Sequence, residues 1–336
     1  MSEPAPNSPV AAPLDARKTQ EIRSWKHDAR LLALRVDPTG RFVFAGATDY
    51  TIQRWEIATE KKTPMKAHDN WVRALGCSTD GNLLFSGGYD GRLLTWEAAA
   101  AEPTPIRSIQ AHQGWLRAIA VSPDGQWIAT GGNDRVVRLW SSKDGQAVRE
   151  FVGHPHFVFS LAFHPDGNDL VSGDVLGNIL HWKVATGEQV RKLDATEMHS
   201  EIGDWSHYGG VLSVAFSRDG KRLSATGLHK TSNALANGQE GVSFQYDWEA
   251  GTRTRKQESV AEQRSAMMWR GIWHASGQFI GSLSEHLGFW QADQDDLYHA
   301  IDMKAAIFDM DLHPNQQELY TAHFDGQVKT MRLIAS

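Results

Sequence analysis

The sequence predicts an all-β chain in which seven blades, each of four short antiparallel strands, close into a ring. Three observations carry this. Tryptophans that end strand-like runs recur at a near-constant step: QRW at Trp55, LTW at Trp96, RLW at Trp140 and LHW at Trp182, which are 41, 44 and 42 residues apart. A histidine stands 28 residues before each one, at His27, His68, His112 and His154. The segment between them keeps one order: an alternating run, a turn, a second run ending in small residues, and a third ending at the tryptophan. Such repetition marks a fold that grows by adding units, so 336 residues do not imply two domains.

Each strand follows from its residues. VRALGCS and LRAIAVS alternate apolar and polar positions, the period of a half-buried strand. DPTG (37–40), STDG (78–81), SPDG (122–125) and HPDG (164–167) are turns, where Gly takes φ > 0 and Asp or Ser bonds the local backbone. AGATD, SGGYD and TGGND close the second strands, and the segment leading to the next histidine supplies the fourth. The later units diverge but keep the step. SRDG (217–220) leads to Tyr246, ASG (275–277) to Trp290, and HPNQ (313–316) and FDG (324–326) to Met331, with steps of 44 and 41. The seventh unit stops after its third strand, at MRLIAS. Residues 17–25 (RKTQEIRSW) are expected to complete it and lock the ring, which leaves no long open edge. Residues 1–16, rich in Pro, Ala and Ser, are expected to form a disordered tail before a domain spanning 17–336.

These motifs resemble the WD-repeat family, whose fold is the β-propeller. The resemblance covers about residues 17–336 and is most specific in blades 1 to 4. It implies a hydrogen-bonded His, Ser/Thr, Asp and Trp set in each blade. Blade 2 offers His68, Ser86, Asp90 and Trp96, and blade 3 offers His112, Thr130, Asp134 and Trp140. Blade 1 has His27, Asp49 and Trp55 but Ala45 in place of the hydroxyl. Blade 4 has His154, Ser172 and Trp182 but Leu176 in place of the aspartate. The aspartate that follows the tryptophan in the family is replaced by Glu56, Glu97, Ser141 and Lys183. Blade 5 starts at His207, and blade 6 has no matching histidine.

The resemblance also implies which residues reach the top face: the third and fifth after the blade histidine, and the one before the turn aspartate. These are Arg30 and Thr48 in blade 1; Trp71, Arg73 and Tyr89 in blade 2; Trp115, Arg117 and Asn133 in blade 3; and Phe157 and Phe159 in blade 4. Blade 6 gives Trp269, and blade 7 gives Phe308 and Phe324. Trp, Tyr and Arg are the residues enriched at interface hot spots. The repeated Trp-x-Arg places an aromatic ring and a guanidinium on one side of a strand. The competing reading is that some of these aromatics plug the channel or pack between blades. Two departures from the period also open on the top face. From Trp182 to His207 is 25 residues, against 13, 16 and 14 in earlier blades, and from His207 to Tyr246 is 39 rather than 28. The added residues fall around 194–206 and 228–240.

Composition excludes several classes of function. A net charge of −6 argues against non-specific nucleic-acid binding. The single Cys77 excludes an intrachain disulfide and a multi-cysteine zinc site. No secretory signal and no apolar run of about 18 residues is evident, so a membrane role is not expected, and a reducing, cytoplasmic setting is. No HExxH, GxSxG or GxxxxGK[ST] motif occurs, and no cofactor or catalytic residue is expected. No metal site is expected either: His199, His207 and His229, with Glu197, Glu201 and Asp204 near, are the candidate ligands, but their spacing imposes no coordination geometry, and solvated loop histidines with one blade histidine are the leading reading. The leading expectation is a non-catalytic scaffold. It would bind a partner protein or peptide on the aromatic and arginine-rich top face, alone or as a subunit of a larger complex. The alternative is a ligand- or metal-binding propeller, or an enzymatic one, using the channel mouth and the blade 5 loops.

Overall fold

The computed structural model describes residues 12–202, 206–229, 240–259 and 267–336. Seven four-stranded antiparallel sheets form the blades of a β-propeller. The first strand of each blade lies next to the axis: Leu31–Val36, Val72–Cys77, Leu116–Val121, Val158–Phe163, Ser213–Phe216, Gly271–Trp273 and Ile307–Leu312. Ile307–Leu312 packs beside Leu31–Val36, so the last blade meets the first. Second and third strands are almost wholly buried between neighbouring blades, while fourth strands such as Pro105–Gln110 alternate half-buried and exposed. The period-2 pattern read in the sequence is therefore strongest at the rim.

Ring closure occurs as the sequence implies. Gln20–Lys26 pairs with Gln327–Arg332 as the outer strand of blade 7. Trp25 stacks on Trp55 of blade 1, with centroids 5.7 Å apart and planes 6° from parallel. The tail differs from expectation. Leu14 bridges Ala335, and Leu14 and Ala16 are buried with Ile280, Phe289 and Met331 in the cleft between blades 6 and 7. The packed chain thus includes residues expected in the tail, because one leucine fills an inter-blade cleft; residues 1–11 lie outside the described ones.

The blade-tying sets are built around one hydroxyl. In blade 2, Ser86 Oγ lies 2.8 Å from His68 Nε2 and accepts from Trp96 Nε1 at 2.8 Å, while His68 Nδ1 lies 2.9 Å from Asp90. Blade 3 repeats this with His112, Thr130, Asp134 and Trp140. Blade 4 corrects the sequence reading, because Leu176 leaves no gap: Asp174 takes the role, 2.9 Å from His154 Nδ1, with Ser172 joining His154 and Trp182. Asp174 stands at the strand end, where blades 2 and 3 have Gly88 and Gly132. A Cβ at Gly88 would come within 2.8 Å of both Asp90 and His68. Glycine there makes room for a carboxylate reaching in from the turn, whereas Asp174 supplies it from the strand itself.

Blades 5 to 7 dismantle this set. Ala225 and Gly281 occupy the hydroxyl position, two residues beyond the one paired with Tyr246 or Trp290. Trp290 Nε1 then has no hydrogen-bond partner, and the Tyr246 hydroxyl donates instead to Asp194 O at 2.6 Å. Blade 7 keeps Thr321 but brings its imidazole from the strand end: His323 Nε2 lies 2.8 Å from Thr321 Oγ1, and Nδ1 lies 3.0 Å from Ala305 O.

Candidate functional site: the channel mouth

A β-bulge gives the channel mouth its lining. In blades 1, 2, 3, 4 and 7 the first strand slips register by one residue against the second, for instance between Val72 and Ala74 and between Leu116 and Ala118. The skipped residue is unpaired, and such a kink re-aims its side chain. The skipped residues are Leu32, Arg73, Arg117, Phe159 and Phe308. Leu212 and Trp269 hold the same register position in blades 5 and 6. All seven line one cavity of about 410 Å³ at the channel mouth.

Of the thirteen residues expected on the top face, Arg30, Thr48, Trp71, Arg73, Tyr89, Arg117, Phe159, Trp269, Phe308 and Phe324 line this cavity. The other three support it. Trp115 stacks on Tyr89 with centroids 4.1 Å apart, Asn133 Oδ1 accepts from Arg117 Nε, and the Phe157 ring lies 5.7 Å from the Arg117 guanidinium. Trp71 and Trp115 are each 40% exposed, so neither is a buried plug. Phe159 and Phe308 are half-buried against the channel. Sequence reasoning passed over Leu32 and Leu212 because they are apolar and isolated, although the position five residues after the histidine selects them. It also missed Tyr208, Leu228 and Met267, which reach the mouth from the divergent blades.

The charge of the mouth is one-sided. Arg30, Arg73 and Arg117 line it, and no carboxylate does among the described residues. Each guanidinium is held by neutral groups. Arg30 lies 4.0 Å over Phe324, Arg73 donates to Leu32 O at 3.0 Å, and Arg117 lies among Trp115, Phe159 and the Tyr89 hydroxyl. Burial pulls Arg117 down to about 10, a desolvation cost for the charged form. Deeper in the channel, Asp309 lies 2.9 Å from Arg35 and 3.5 Å from Arg270, and accepts the backbone N–H of Leu34. Burial would raise this carboxyl, but the two guanidiniums outweigh it and hold it below its ordinary value. The deep carboxylate is paired with Arg35 and Arg270 and also feels the Arg73 charge, while none of the three mouth guanidiniums has a direct ion pair among the described residues.

The blade 5 departures are built structure where they are described. Thr196–Met198 forms a short 3-10 turn, followed by a two-stranded hairpin of His199–Ile202 and Ser206–Gly209. His207 is thus not the blade histidine its spacing suggested: the 25-residue gap folds as a separate hairpin and carries it to the mouth. Gly210 seats the hairpin base at φ +81°, where a Cβ would meet the Val175 backbone at 2.3 Å. The second departure lengthens two strands to Arg222–His229 and Glu240–Asp247, and its tip, 230–239, lies outside the described residues, as does Asp204. His199 Nε2 is 3.0 Å from His207 Nδ1, whereas His229 lies elsewhere, 3.2 Å from Glu258 and 3.5 Å from Glu240. Glu197 pairs with Arg253 at 2.7 Å. The candidate metal ligands form two groups, not one. Burial pushes the Cys77 thiol far up, which disarms it as a nucleophile.

Comparison with known proteins matches the most regular part of the chain. The family model for the WD domain, G-beta repeat, fits residues 59–97, 103–141 and 145–183. A transcription initiation factor TFIID subunit 5 from Caenorhabditis elegans is 35% identical over 86 residues, 26% of this chain and 12% of that protein. The apoptotic protease-activating factor 1 of Homo sapiens is 34% identical over 123 residues, 36% of this chain and 9% of that protein. The chain therefore spans a small fraction of the relatives it matches. Three stretches of the chain thus match WD40 repeats and end in blades 2 to 4, and four further blades close the same ring into a seven-bladed β-propeller.

Proposed function

We propose that this propeller is a non-catalytic interaction scaffold that holds an acidic segment of a partner protein at the channel mouth. One observation carries the reading: three guanidiniums face an aromatic-walled cavity that no described carboxylate lines, in a chain of net charge −6. Arg117 is desolvated with no ion-paired carboxylate among the described residues, which is costly for a cation, and an incoming carboxylate would offset that cost. Charge-assisted bonds from Arg to carboxylate are about twice as strong as neutral ones. The surrounding aromatics exclude water and supply apolar contact. Rigid blades hold the side chains in place beforehand, which lowers the ordering cost of binding. The relatives support the scaffold class by name alone: one is a subunit of an initiation factor, the other a protease-activating factor.

The test is direct. Labelled peptides rich in Asp and Glu around one aromatic residue, and neutral and basic counterparts, are titrated by fluorescence anisotropy. Acidic peptides are expected to bind, with affinity falling as salt rises, and to lose binding on Arg73→Ala/Arg117→Ala. Equal binding of all three peptide classes would contradict the reading.

A further inference from the structure

Among the described residues, three groups of side chains bring histidine and carboxylate donors together. His164, Asp166 and Asp169 are committed to turn and blade contacts: His164 Nε2 bonds Gly220 O, and Asp169 holds His181 and Lys183. In the group of His229, Glu240 and Glu258, the Lys256 ammonium already sits 2.9 Å from Glu258. The third group is on the mouth hairpin, and it is arranged differently.

In that hairpin Glu201 pairs directly opposite His207, and His199 precedes Glu201 by two residues. Alternation therefore puts all three side chains on one face of the ribbon. His199 Nε2 and His207 Nδ1 point at each other at 3.0 Å, with Glu201 Oε1 3.8 Å from the same His207 nitrogen. All three donor atoms lie within 4.8 Å of one another. Tetrahedral ligands about 2.0–2.1 Å from zinc stand roughly 3.3 Å apart, so the hairpin needs only small side-chain adjustments to hold an ion. No Lys or Arg competes for Glu201 among the described residues. His156 of blade 4 packs edge-on against the His207 ring, with centroids 4.7 Å apart, and its buried Nδ1 has no hydrogen-bond partner.

We propose that His199 Nε2, His207 Nδ1 and Glu201 Oε1 bind one divalent transition-metal ion of the zinc class at the rim of the channel mouth. The donor set is two imidazoles and one carboxylate, which suits zinc and cobalt and disfavours magnesium and calcium. Three protein ligands leave a fourth position for water or for a partner's side chain. An isolated two-stranded hairpin is only marginally stable in water, and an ion bridging its two strands fixes it, since metal binding and folding share one free energy. His156 acts as a positioning residue that sets the plane of the His207 ring.

The experiment uses the full chain, stripped with chelator and titrated with Co²⁺ and then Zn²⁺. One equivalent of Co²⁺ is expected to give the visible absorption of a four-coordinate site, bleached by Zn²⁺ and unaffected by excess Mg²⁺. His199→Ala and His207→Ala are expected to abolish the bands with circular dichroism unchanged, and Glu201→Gln to weaken binding. His156→Leu is expected to weaken it about tenfold, as supporting contacts to ligands do. His229→Gln is expected to leave the bands intact. Absence of the bands in the wild-type chain, or their survival in the His199→Ala/His207→Ala double variant, would overturn the site. Arg73→Ala/Arg117→Ala leaves the metal ligands untouched, so failure of the peptide reading and failure of the metal site are separable.

Discussion

Blades 2 to 4 and blades 5 to 7 answer the same packing problem in different ways. In blades 2 to 4 one buried hydroxyl ties an imidazole, a carboxylate and an indole into a closed set. In blades 5 to 7 that hydroxyl is lost or rewired, and apolar packing around Phe244, Phe289 and Tyr320 takes over. The half released from the polar set is the half that carries the long strands and the extra hairpin. Blades 1 to 3 supply the arginines of the mouth together with Trp71, and the divergent blades and the hairpin supply Trp269, Phe308, Phe324 and Tyr208.

The comparison can be broken at its most demanding point first. Asp174 is fully buried and accepts from Leu176 N, Asn178 N and Asn178 Nδ2 besides meeting His154. Asp174→Ala is expected to destabilise by about 3–5 kcal/mol, as removal of one member of a buried charged set does, read by urea unfolding. A loss below about 1 kcal/mol would show that the set is incidental to stability.

Next comes the hydroxyl itself. Ser172→Ala takes the hydroxyl from two buried side chains, His154 and Trp182, whereas Thr321→Ala takes it from one, His323, and from a long bond to Lys329 O. The first is expected to cost about 2–3 kcal/mol and the second about 1 kcal/mol. Equal losses would erase the distinction between the halves.

Acid probes both halves, since burial lowers His112 of blade 3 as well as His323 of blade 7. Burial lowers His323 from 6.5 to about 4. The unfolded chain therefore takes up this proton first as pH falls, so the contribution is complete above about 6.5 and is lost toward 4. Asp90 and Asp134 are also held low: burial alone would raise them, but their hydrogen-bonded histidines outweigh it. Their contribution is lost only below about 4. His323→Gln is expected to reduce the slope of stability against pH between about 4 and 6.5, with His112 and His274, also lowered by burial, keeping the remainder, and to leave the steeper acid limb in place. An unchanged slope in that window would refute the assignment.

The smallest effect on stability is expected at the mouth. Arg117 is desolvated without a carboxylate beside it, so Arg117→Met is expected to change stability by less than about 1 kcal/mol while abolishing acidic-peptide binding. A large destabilisation would make Arg117 a structural residue.

Much of this was legible in the sequence, for stated reasons. A constant 28-residue separation from His to Trp exposes a repeat because each of blades 1 to 4 uses the same number of residues for three strands and two turns. Ring closure was legible because blade 7 lacks its outer strand. Asp174 was not, since spacing alone cannot tell that a carboxylate two residues early reaches the same imidazole from the strand end. His207 misled for the opposite reason: it kept the spacing but lies on an inserted hairpin. The mouth was legible in its aromatic and charged members, while Leu32 and Leu212 became visible only through the bulge that re-aims them.

The chemistry of the mouth can be read by peptide selection on the immobilised chain. Random peptides are selected in parallel on the wild type and on Arg73→Ala/Arg117→Ala. The account expects Asp and Glu to be enriched on the wild type and that enrichment to vanish on the variant. Identical sequences from both proteins, or basic sequences from the wild type, would contradict it.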